Sequence, residues 1–106
     1  MEIRGDRALG LAVINQATKE MRDISPSFTQ QLSRAKLKLR IEATAWLSSI
    51  QATTWFEGCD LDQAYALGRI RWARHARELL EDESISLDPQ TTRVLELGLD
   101  AAEPTE

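Results

Sequence analysis

The longest uninterrupted pattern in the chain runs from Ser27 to Phe56, a stretch with neither Gly nor Pro. Apolar residues recur in it at steps of three and four. Phe28, Leu32, Ala35, Leu39, Ala43, Trp46 and Ile50 form one stripe, and Leu37, Ile41, Ala45, Ala52 and Trp55 form a second on roughly the opposite side of a helix. This predicts a central helix over about 27–57, covered on both faces. Residues 34–42 alternate polar and apolar, which is the period of a half-buried strand. Their flanks are helical in content and spacing, and the same alternation feeds both stripes of a helix, so helix is the preferred reading. The best partner strands on offer, residues 2–4 and 84–87, are short and weak.

The remaining elements follow from caps and breaks. Asp6 is expected to cap a first helix over about 7–22, with Leu9, Ala12, Val13, Ala17 and Met21 as its apolar members. Lys19 and Arg22 lie at its end, where cations suit the helix dipole. Pro26 forces a break, and either Ser25 or Ser27 caps the central helix. Gly58 is expected to end that helix. Asp60, with Gln63 three residues on, is expected to cap a third helix over about 61–81, in which Leu61, Tyr65, Trp72, Ala76 and Leu79 share a face. Asp88–Pro89 opens a short last helix, about 89–101, that can bury Val94, Leu95, Leu97 and Leu99. The expected fold class is all-α: a small antiparallel bundle of three main helices plus a short C-terminal one. Residues 1–83 form the bundle domain, and residues 84–106 an acidic C-terminal segment with a short helix and a frayed tail.

Length sharpens the central element. Thirty residues of straight helix measure about 45 Å, whereas a domain of this size has a radius of gyration of about 13 Å. The helix therefore bends, helped by back-bonding from Thr44, Ser48, Ser49, Thr53 and Thr54, or it projects and is covered by another chain. In the second case Trp46, Ile50, Trp55 and Phe56 mark the contact, because they lie where a small domain runs out of cover.

Charge divides the 106 residues unevenly. Residues 1–80 carry 12 basic and 9 acidic groups, net +3, and residues 81–106 carry 1 basic and 8 acidic groups, net −7. An acidic tail of this kind keeps a protein soluble, shields the body from nucleic acid, or folds onto basic side chains. One Cys, no apolar leader and no long apolar run suggest a reducing, cytoplasmic setting, with no disulfide framework and no membrane span.

The sharpest candidate chemistry is the run Arg69, Arg71, Arg74 and Arg77 around Trp72 and His75. Four guanidiniums on three turns can pair with acids such as Glu78 on a solvated face, anchor a protein partner, or grip phosphates. The first two readings are preferred, since the chain is acidic overall; nucleic-acid binding through these four residues is the alternative. Arg34, Lys36, Lys38 and Arg40 spread around the helix and make no coherent patch. Cys59 sits at a helix start, but Glu57, Asp60 and Asp62 oppose its thiolate, and a lone His75 supplies no metal set. No metal site, cofactor, small-molecule substrate or enzymatic activity is expected. The function expected is that of a small protein-interaction module, an adaptor, inhibitor or assembly subunit of the kind found among phage and mobile-element accessory proteins. It would self-associate and use Trp46, Ile50, Trp55 and Phe56 together with the arginines.

Overall fold

A computed structural model describes residues 3–23 and 29–102. The described residues form helices and the links between them, with no strand. Six helices follow one another: α1 (Ile3–Arg22), α2 (Gln30–Leu47), α3 (Ile50–Gly58), α4 (Gln63–Arg69), α5 (Trp72–Glu81) and α6 (Pro89–Ala102). The molecule measures 47 × 41 × 22 Å, about two helix diameters thick. Residues 34–42 lie inside α2, and residues 85–88 are irregular.

α1 begins at Ile3, so Asp6 lies within it and is not its cap. No proline precedes Asp6, and a glycine in the first turns, here Gly5, does not stop a helix. Ser25, Pro26, Ser27 and Phe28 lie outside the described residues. The cap of α2 is Thr29, whose hydroxyl accepts from the Leu32 N–H at 3.1 Å.

The expected 27–57 helix is divided at Ser48–Ser49, where Ser49 is extended (φ −81°, ψ 163°). Ending α2 inside the molecule frees the carbonyls of its last turn, which must find donors. Each does. Thr44 O accepts from Trp72 Nε1 at 2.7 Å, and Ala45 O accepts from the Ser48 hydroxyl at 3.2 Å. Trp46 O accepts from both the amide (3.0 Å) and the hydroxyl (2.7 Å) of Ser49, while Leu47 O accepts from Gln63 Nε2 at 2.9 Å. The Ser49 hydroxyl also caps α3 by accepting from Ala52 N–H. The long helix therefore bends, at two of the residues whose hydroxyls favour bending.

Two further corrections concern left-handed residues. α3 runs through Gly58, and the positive φ that terminates it falls on Asp60 (57°). The Leu61 amide then reaches back to Phe56 O at 2.9 Å, the six-to-one bond of a Schellman ending. The cap of α4 is consequently Asp62, which accepts from Tyr65 N–H at 3.1 Å, and not Asp60. The expected 61–81 helix is divided again at Ile70–Arg71, where Arg71 takes φ 59° and ψ 42°. The division rotates one part against the other. Trp72, Ala76 and Leu79 are buried, whereas Leu61 and Tyr65, expected on the same face, are exposed.

The core is assembled from Met21, Leu47, Ala52, Phe56, Trp72, Ala76, Leu79 and Leu95, all essentially without solvent exposure. α1 packs along α2 and α3, and α6 packs on α5, α2 and α4. Asp88 caps α6 as expected, accepting from the amide (2.7 Å) and hydroxyl (3.1 Å) of Thr91, with Pro89 in the first position. Two glycines mark close approaches. A Cβ on Gly10 would stand 2.6 Å from Cys59 Sγ, and one on Gly98 would overlap Trp72 Cη2.

Candidate functional site

Two surfaces gather the residues singled out by the sequence. The first is apolar. On α2 the stripe Leu32, Ala35, Leu39 is exposed, with Leu32 51% and Leu39 46% accessible. It continues into Ala43 and the half-buried Trp46, which with Ala12, Val13 and Ala17 of α1 line an open groove of about 540 Å³ edged by Gln16, Glu20 and Glu42. Ile50, past the break, is 89% exposed. The second stripe of the sequence turns inward: Leu37, Ile41 and Ala45 pack against the core and Ala52 is within it.

The expected contact at Trp55 and Phe56 separates into two fates. Phe56 is 1% exposed and belongs to the core, while Trp55 is exposed at its edge. Neighbours on a helix point about 100° apart, so one can be buried while the other stays at the edge. Phe56 is accordingly not a surface residue.

The second surface is polar. Arg71 and Arg74 line a pocket of about 450 Å³ together with Arg22, Ile70, His75 and Glu78. Arg22 closes the C-terminal end of α1 and donates to Ile70 O at 3.2 Å, across 48 residues of sequence. Arg69 and Arg77 do not line this pocket; Arg69 sits on α4, beyond the left-handed Arg71. Glu78 is the acid of the cluster. It lies 3.7 Å from Arg40 Nη2, 3.8 Å from Arg74 Nε and 3.7 Å from His75 Nδ1. The expected pairing of the arginines with Glu78 is met at Arg74. Spacing alone does not bring Arg22 or Arg40 to this place, because both arrive through tertiary packing. Arg22 reads locally as a dipole partner of its own helix, and Arg40 as one of four scattered cations.

Burial is the main influence on His75 and pushes its pKa below the usual 6.5; Glu78 opposes this, and Arg40, Arg22 and Arg74 reinforce it. A histidine with a lowered folded-state pKa binds fewer protons folded than unfolded near that pH, so protonation favours the unfolded chain. The protein is therefore expected to lose stability as the pH falls through about 6.5. Thermal melts in that range should show the loss, and His75→Gln should flatten it. An unchanged slope in the variant would mean that His75 is not responsible.

Cys59 is buried against Gly10. Among the described residues no three of His, Cys, Asp and Glu converge as a metal set, and no helix is long and apolar enough to cross a membrane. The chain matches no protein-family model, and no curated protein and no solved structure is significantly similar to it.

Proposed function

We propose that the chain is a non-catalytic protein-interaction module that pairs with a second copy of itself through α2 and the α1–α2 groove. The observation that carries this reading is the exposed stripe Leu32–Leu39 running into the groove at Trp46. Contiguous apolar surface of this kind, rimmed by polar residues, is characteristic of contact sites. In this reading the architecture has three main helical arms, α1, the bent α2–α3 and the bent α4–α5, with α6 as a short brace.

Charge favours a copy of the same chain. Arg34 and Lys38 stand in the N-terminal half of α2, and Glu20 and Glu42 edge the groove toward its other half. A two-fold pairing with α2 antiparallel to its mate sets each basic end against an acidic one. The four-arginine reading, a phosphate track for nucleic acid, has less support. The track is broken at Ile70–Arg71, and Glu78 offsets Arg74.

Sedimentation or light scattering tests the proposal. The protein should run as a dimer, and Leu39→Glu should weaken association by about 2 kcal/mol or more, about thirtyfold, with its helicity unchanged. A protein that is monomeric at high concentration, or a Leu39→Glu variant that dimerises as well as the parent, would rule out this interface.

A further inference from the structure

We propose that the polar pocket at the α4–α5 elbow binds the dianionic phosphate of a phosphate monoester. This does not rest on the self-association reading, since it concerns a different face.

Arg22, Arg71, Arg74 and His75 reach the pocket from the end of α1, the elbow and α5, and the acid in its wall is Glu78. That carboxylate is shared, because it also faces Arg40 and His75. Three guanidiniums against one divided carboxylate leave a local positive excess in a chain whose net charge is −4. One arginine suffices to clasp a carboxylate ligand, whereas three arginines from separate segments match the three acceptor oxygens and double charge of a phosphate monoester.

Packing requires the turn at the elbow but not an arginine in it. Arg71 sits at φ 59°, ψ 42°, a conformation that glycine holds freely and arginine does not. The residue there is instead an arginine, and it lines the pocket. Arg71 also stands at the N-terminal boundary of α5 without supplying a side-chain cap. Arg22 is already held at the elbow by its bond to Ile70 O, which reduces the ordering cost of binding.

A single focused ligand fits better than a polynucleotide. Arg69 and Arg77 do not line the pocket, so the basic groups converge on one point and do not follow a strand.

The test is NMR titration of the protein with inorganic phosphate at constant ionic strength, with chloride as control, followed by a nucleoside monophosphate, free phosphoserine, and a DNA oligonucleotide lacking terminal phosphates. Saturable shifts are expected at residues 70–75. The imidazole of His75, which faces Glu78, Arg40, Arg22 and Arg74, should titrate at higher pH once phosphate is bound. Arg71→Gly should weaken binding about tenfold or more while melting no lower than the parent, because glycine suits the elbow. Arg22→Gln should weaken it similarly. The monophosphate and phosphoserine arms identify the source of the phosphate by which binds more tightly. Shifts matched by chloride, a folded Arg71→Gly variant that binds phosphate as the parent does, or tighter binding of the oligonucleotide that depends on Arg69 and Arg77, would each overturn the proposal.

Discussion

Replacing Trp72 with alanine should cost about 3–5 kcal/mol, the range for deleting a large buried aromatic. A small domain has only about 5–15 kcal/mol in total, so this one substitution removes about a fifth or more of its stability. The indole has no solvent exposure and is the largest fully buried side chain. Its N–H also donates to Thr44 O at 2.7 Å, one of the carbonyls exposed by the end of α2. Alanine therefore leaves both a cavity and an unpaired buried acceptor. Trp72→Phe keeps part of the ring and removes the donor, so it should cost less than alanine, with about 1–3 kcal/mol of the loss from the unpaired acceptor. Denaturant unfolding of the two variants checks this. A loss below about 1 kcal/mol for Trp72→Ala would contradict the central place given to the residue.

Gly98→Ala should destabilise by about 1–3 kcal/mol, although alanine is intrinsically about 1 kcal/mol better than glycine in a helix. The added methyl would overlap Trp72 Cη2 and stand 3.1 Å from both Cβ and Oγ of Ser48. Neither neighbour can yield easily, because the indole is hydrogen-bonded to α2 and the Ser48 hydroxyl to Ala45 O. A phenylalanine at 72 has no atom corresponding to Cη2. In the Trp72→Phe background the same Gly98→Ala change should approach neutrality, giving a coupling of about 1–3 kcal/mol in a double-mutant cycle. Simple additivity of the two changes would show that the ring and the glycine do not meet.

Hydrophobic spacing carried the helical character of the chain, including residues 34–42, where a strand period lay inside a helix. Capping chemistry carried the start of α6 at Asp88, because an acid followed by Pro specifies its own geometry locally. The elbow at Ser48–Ser49 was half legible. Its hydroxyls mark a place where a helix can bend, and the excess length of the stretch demands that it do so. The donors that complete the elbow, Gln63 and Trp72, lie 14 to 28 residues downstream in their hydrogen bonds. The left-handed residues were not legible. Gly58 was the natural candidate and Asp60 took the position; at Ile70–Arg71 no glycine marks the turn. That turn lets Trp72 reach Thr44 and α6 while Tyr65 faces solvent, a tertiary demand that overrides local preference. Spacing doubles the apolar surface of this stretch, but only one of the two faces expected to be covered is buried. Phe56 went to the core, while Ile50 and the Leu32–Leu39 stripe stayed outside. Of the residues lining the polar pocket, Arg71 and Arg74 stand on the run around Trp72 that the sequence singles out, whereas Arg22 does not, because its approach depends on how α1 lies against the elbow.

The elbow at Ser48–Ser49 has its hinge and its latch on different segments. The two serines supply the hinge from within the stretch. The latch is the Gln63 amide, which donates to Leu47 O and Ser49 O and accepts from the Thr53 hydroxyl at 2.6 Å. A peptide spanning residues 29–58 would contain the hinge without the latch, and its own sequence, with no Gly or Pro before Gly58, is compatible with one continuous rod. The angle between α2 and α3 is thus a property of α4 being docked, and any event that withdraws Gln63 also releases the corner it holds.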